Sequence, residues 1–394
     1  MRIKNKINDF YLVNNTTYTL IAVSMCKFLY GFYTAAIGSI LVPLGAAFNI
    51  NIRTQSLIFP FNYFGQIVII FFVGYFADKL GKKVVQTVSL VLLSIFALFF
   101  NYVNNFILFM IMILFMGLFG TSINTIADAA VSDTFKNKKG YYLNIAHVFF
   151  GLGAMTSPIV FNLILKVSGD FRKIYFVLFI ISILIFFLIS IAKYPTVDNE
   201  KIRPSAIIEL LKNKDFIVIC ILAMLSSGAQ HAVSGFIPTL FQKNLNISAQ
   251  ISNYSLSFYW LSIVVGRVAV AFLSRRFKEY FLLKILNFAT FFVLAASFFL
   301  NNYVLLIIDY LLFGLLLGGI FPLIIAYSAE ISPKYSTTRL AVIFSFTAMG
   351  MFAVPTIVGM LADYFLIYKV LAFTSLPFLA YIFVFGRKTG KVQI

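Results

Sequence analysis

The sequence predicts an all-α membrane protein, with twelve transmembrane helices in two pseudo-symmetric six-helix bundles and both termini cytoplasmic. Three observations carry this. Of 394 residues, 61% are hydrophobic and only 11% charged, where soluble domains carry about a quarter; that much apolar surface belongs in lipid. The second half repeats the first at an offset of about 196 residues. The cations, finally, gather on one side of the apolar spans.

The repeat can be read position by position. Asn104-Asn105 and Asn301-Asn302 each open an apolar segment. Gly117 meets Gly314, Asp133 meets Glu330, Gly153 meets Gly350 and Pro158 meets Pro355, all 197 positions on. Pro43 meets Pro238, and Asn49/Asn51 meet Asn244/Asn246, at 195; Tyr63 meets Tyr259 at 196, with Lys79 landing on Arg275. Two related bundles can rock against each other around a site between them, so a duplicated apolar chain points to a membrane transporter.

Apolar windows of about 20 residues place the spans. In the first half they fall at 18–47, 55–77, 84–102, 105–132, 140–166 and 173–193. The second half gives 215–241, 251–273, 280–300, 303–329, 338–364 and 367–386. The domains expected are a bundle over 1–193, a cytoplasmic linker over 194–214 and a bundle over 215–394. Ile207, Ile208, Leu210 and Leu211 suggest a short surface helix in the linker. The basic, polar stretch before the first span has no cleavage pattern and is expected to stay in the mature protein.

With both termini inside, inner loops and tails hold 23 of the 31 Lys and Arg; outer loops hold six, and Lys27 and Arg267 lie within spans. That bias fixes orientation. It also explains the net charge of +18 by lipid rather than by nucleic acid. The two cysteines sit in apolar segments, and no metal-ligand spacing, nucleophile elbow or phosphate loop occurs. No cofactor, metal or enzymatic activity is expected, and the chain is read as a monomer of the cell (inner) membrane.

Between the second and third spans runs Gly74-Tyr-Phe-Ala-Asp78-Lys79-Leu-Gly81-Lys82-Lys83. It resembles the G-x-x-x-D-[RK]-x-G-[RK]-[RK] signature of the major facilitator superfamily. Gly74 permits close helix contact and Gly81 a tight turn. Asp78, at the inner end of a helix, opposes its own macrodipole and should seek a positive partner elsewhere. The resemblance implies a cytoplasmic latch to the start of the eleventh helix, near Thr337–Arg339. The second-half copy, Gly266-Arg267 with Ser274-Arg275-Arg276, has Ser274 where an acid would stand. Arg267 is expected to join the latch, pairing with Asp78 or Glu330. Three further stretches, Leu143–Ala154, Ser257–Arg276 and Gly318–Pro322, resemble the fifth, eighth and tenth helices of the fucose and glucose/mannose:proton symporter subfamily. That implies a monosaccharide carried with protons by alternating access, through a cavity lined by helices 1, 4, 7 and 10.

An ionisable side chain in hydrocarbon costs about 2.5–3.5 kcal/mol, so each survivor needs a cavity or a partner. Asn124 and Asp128, four apart, share one helical face of the fourth span. An amide and a carboxylate suit sugar hydroxyls, and Asp128 is a candidate to take the coupling proton; a structural ion pair to Lys27 or to the inner loops is the competing reading. Lys27, near the middle of the first span, reads three ways: counter-ion of Asp128, site for an anionic solute, or titrating group. His147 falls where the resemblance places a substrate-binding glutamine. Gln230-His231 falls where the seventh helix carries a polar pair. Asp309, with Met112 at its first-half counterpart, reads as a second proton site or as the partner of an outer cation. Trp260 reads as core packing before sugar stacking. A drug or anionic-metabolite exporter of the same superfamily is the second reading; a non-transporting sensor, the third, should have lost the latch motif.

Overall fold

The computed structural model describes residues 2–135, 139–194, 204–332 and 335–379. Parts of the expected linker and last span, and the basic residues Lys136, Lys138, Lys201, Arg203, Lys334, Arg387, Lys388 and Lys391, lie outside the described residues. All regular structure among the described residues is helical. The first half holds α1 (Arg2–Phe48), α2 (Ile52–Gln55), α3 (Ile58–Leu80), α4 (Lys82–Phe99), α5 (Phe106–Thr134), α6 (Lys139–Ser168) and α7 (Lys173–Ile191). A nine-residue helix, α8 (Pro204–Lys212), precedes the second half. There follow α9 (Lys214–Thr239), α10 (Ala249–Leu273), α11 (Glu279–Ala296), α12 (Tyr303–Leu317), α13 (Ile320–Ile331), α14 (Ser336–Leu361) and α15 (Ile367–Phe373).

Among the described residues, ten helices are long and apolar enough to cross a membrane. The second expected span is instead a bent pair, Ile52–Ile69 and Phe72–Leu80, meeting at 44°. The last is a shorter apolar helix over Ile367–Leu379. Twin caps start equivalent helices. Asn105 Oδ1 accepts from Leu108 N–H at 3.1 Å, and Asn302 Oδ1 from Val304 N–H at 2.8 Å, each satisfying an orphan donor of the first turn. Asn49 and Asn246 both adopt the left-handed conformation, φ 50° and 55°, which asparagine tolerates. The backbone thus pairs Asn49 with Asn246, at 197, where the sequence pattern suggested 195.

The chain forms two compact units, Met1–Ala36 with Phe64–Asn199, and Ile37–Tyr63 with Glu200–Ile394. In the first, α4 packs against α5 and α7, and α1 crosses α6 at two glycines. A Cβ on Gly31 would lie 2.0 Å from the Phe150 carbonyl oxygen, and one on Gly153 2.0 Å from that of Phe28. Only glycine permits so close a crossing. In the second unit, α9 meets α14 the same way: a Cβ on Gly350 would stand 1.7 Å from the Met224 carbonyl oxygen, and one on Gly228 2.7 Å from that of Gly350. Gly31 and Gly228, like Gly153 and Gly350, are 197 residues apart. The duplication is therefore a repeated packing device as well as a repeated sequence.

Candidate functional site

The crossing of α1 and α6 positions the polar cluster of the first unit. Lys27 stands one turn before Gly31, and His147 lies six residues before Gly153. Lys27 is fully buried. Its ammonium lies 2.6 Å from Asp128 Oδ2 and donates to Asn124 Oδ1 at 2.7 Å. On the other side of the carboxylate, His147 Nε2 lies 3.3 Å from Asp128 Oδ1. Side-chain exposure rises across the cluster from 0% for Lys27 through 24% for Asp128 to 33% for His147. Asp128 and His147 are the partly exposed members of the cluster. The ammonium is enclosed and engaged by two acceptors.

The structure thus brings together four residues from three sequence stretches: Lys27, Asn124, Asp128 and His147. Two neighbours were not foreseen. Tyr30 lies three residues after Lys27, and its hydroxyl donates to Gln66 Oε1 at 3.1 Å while its ring meets Phe150 at 5.8 Å. The signal for Gln66 was an amide within an apolar span, and for Tyr30 its helical spacing from Lys27.

In the repeat, 197 residues on, the cluster is apolar. Lys27 becomes Met224, Asn124 becomes Phe321, Asp128 becomes Ile325 and His147 becomes Phe344. The counterparts of Asn124 and His147 pack on each other, with Phe321 and Phe344 ring centroids 5.8 Å apart. The charged and amide groups of this cluster are confined to one copy.

The second unit holds the remaining candidates. His231 Nδ1 lies 2.9 Å from the Ser227 carbonyl, and its ring meets those of Tyr63 and Trp260 edge-on at 5.8 and 6.2 Å. The Gln230 carbonyl accepts from the Tyr259 hydroxyl at 3.2 Å. Trp260 is fully buried, which makes it packing for His231 rather than a sugar platform. Asp309 is 6% exposed, and its Oδ2 has no hydrogen-bond partner among the described residues.

Of the latch residues, Gly74, Asp78, Lys79 and Gly81 are exposed. Asp78 enters no ion pair among the described residues. Lys82 is bound within its own unit, paired with Asp133 at the end of α5, both side chains largely buried. The next lysine, Lys83, donates to the Ser190 and Ala192 carbonyls at the end of α7, at 2.8 Å each. Arg267 Nε donates to the Gly318 carbonyl at 3.4 Å, at the break between α12 and α13; it makes no ion pair among the described residues, and Glu330 is exposed.

A buried ion pair flanked by an amide and an imidazole thus sits on the spanning helices of the first unit. A family model of the Major Facilitator Superfamily matches residues 23–355, and the chain belongs to that superfamily. It is a multi-pass transporter of the cell inner membrane, not an enzyme. Over 322 residues it is 24% identical to the glucose/mannose transporter GlcP of Bacillus subtilis, covering 78% of this chain and 79% of that one. A putative glucose/galactose transporter of Helicobacter pylori is 27% identical over 276 residues, covering 64% and 67%. The fold is similar to that of a solved D-xylose-proton symporter, with TM-score 0.77, 14% identity and coverage of 94% and 97%.

Proposed function

We propose that this chain moves a monosaccharide across the cell membrane by alternating access, in symport with protons. The observation that supports it best is the cluster in the first unit. Sugar hydroxyls both donate and accept; Asp128 offers acceptors, and a histidine such as His147 can take either role when neutral. The enclosed Lys27 ammonium, already engaged by Asp128 and Asn124, supports this reading over an exporter of anionic metabolites. The sugar-transporting relatives point the same way. Gln230 and His231 supply further solute contacts on this reading.

Charge accounting divides the labour between the two acids. Asp128 with Lys27 is a neutral pair, so it can take a proton only by releasing the lysine. Asp309 is buried and enters no ion pair among the described residues, and on this reading it is the residue that carries the coupling proton. The bent pair over Ile52–Leu80 and the helix Ile367–Leu379 complete twelve spans, the distribution of basic residues keeps both termini cytoplasmic, and 194–214 links halves at 1–193 and 215–394. On this reading Asp78, with Gly74, Lys79 and Gly81, is the first unit's contribution to a cytoplasmic gate.

Exchange of labelled glucose, mannose and galactose in proteoliposomes at equal pH on both sides tests the solute assignment. Exchange of at least one of them is expected, and its loss in Asp128→Asn. Exchange of none by the unaltered chain would refute the sugar reading; full exchange by Asp128→Asn would remove Asp128 from the site.

A further inference from the structure

An apolar groove of about 610 Å³ opens on the second unit, away from the polar residues discussed above. Leu225 of α9, Val354 and Ile357 of α14, and Phe373 of α15 supply its walls. α15 is only seven residues long. The chain turns at Thr374-Ser375 and resumes as helix at Leu376, with Pro377, which has no amide hydrogen to lose, in the first turn of the resumed segment. Ile357 and Phe373 remain 54% and 61% exposed, so the walls face hydrocarbon.

One cation lines this groove. Lys369 Nζ sits 5.5 Å from the centroid of the Phe298 ring, a contact that holds the ammonium at the groove's edge. It enters no ion pair among the described residues. Asp363, on the turn between α14 and α15, is exposed and likewise enters no ion pair among the described residues. An apolar slot with a single uncompensated cation is complementary to a long hydrocarbon chain ending in a phosphate. A sugar would leave its hydroxyls unsatisfied there. A zwitterionic lipid would bring its own cation against Lys369.

We propose that this groove binds one acyl chain of an anionic phospholipid, with the headgroup phosphate on Lys369. The site is separate from the solute cluster and stands or falls independently of the transport reading.

The test places a reporter in the wall. Ile357→Trp in the full chain, with the unaltered chain as the Trp260-only reference, is reconstituted into phosphatidylcholine vesicles. These carry increasing fractions of bromo-acyl phosphatidylglycerol or bromo-acyl phosphatidylcholine. Quenching by the phosphatidylglycerol is expected at about fivefold lower fraction, as one lysine at a headgroup supplies. In Lys369→Ala the two lipids should quench alike. Equal quenching with Lys369 in place overturns the headgroup assignment. No quenching above the reference by either lipid means that protein fills the groove, a second copy or another segment of this chain, and overturns the site. As a check that needs no tryptophan, mass spectrometry of the detergent-extracted chain from phosphatidylglycerol-containing membranes should show one retained phosphatidylglycerol, lost in Lys369→Ala.

Discussion

Lys27 Nζ lies 2.6 Å from Asp128 Oδ2, yet the positions 197 residues further on hold Met224 and Ile325. The duplicated scaffold therefore accommodates either an ion pair or two apolar side chains at the same crossing. Which one stands there is a matter of chemistry rather than of folding.

That contrast predicts a stability experiment. Lys27→Met strands the Asp128 carboxylate. Breaking a buried pair from one side costs about 3–5 kcal/mol, and the partial exposure of Asp128 puts the loss at the lower end. The double variant Lys27→Met/Asp128→Ile, which copies the second half, should recover most of it. Thermal unfolding in detergent reads both, and a double variant no better than the single would show that the pair is not an isolated unit.

The glycine crossings predict a second pair of effects. Gly153→Ala puts a methyl on the Phe28 carbonyl and must separate α1 from α6. Overpacking of this kind costs about 1–3 kcal/mol. It should also weaken hexose exchange, since the same crossing holds Lys27 and His147 in register around Asp128. Gly350→Ala should cost similar stability through α9 and α14. Its effect on exchange should be smaller, because the residues at that crossing are apolar. Equal loss of exchange from both would mean that the crossings act only through folding.

Asp78 predicts the opposite signature. It is exposed and in no ion pair among the described residues, so Asp78→Asn should shift unfolding by less than about 0.5 kcal/mol. Transport should fall markedly if the residue gates the cytoplasmic side. Lys82→Ala, by contrast, strands the largely buried Asp133 and should lower stability by about 3 kcal/mol. Melting curves beside uptake rates separate a gate residue from a structural one.

Much of the fold was legible because lipid makes the requirements simple. Runs of some 20 apolar residues must be helices, and the offset between Gly153 and Gly350 could be counted directly. The second and last spans were less so: nothing in Ile52–Leu80 marks its 44° bend, and apolar composition ran past the turn at Thr374-Ser375. At the candidate site, Asn124 and Asp128 shared a face by spacing alone. Their meeting with Lys27 and His147 rests on the Gly31–Gly153 crossing, a contact between distant segments that no local pattern encodes. The repeat offered a clue that composition could not. Wherever one copy is charged and the other apolar, the scaffold has no structural need of the charge.

Uptake of labelled hexose into proteoliposomes under an imposed inward proton gradient, comparing the unaltered chain with Asp309→Asn, tests the proton-coupled account most directly. Gradient-driven accumulation by the unaltered chain is expected, while Asp309→Asn should retain exchange and only equilibrate the sugar. Accumulation that persists in Asp309→Asn, or uptake by the unaltered chain that ignores the gradient, would contradict it.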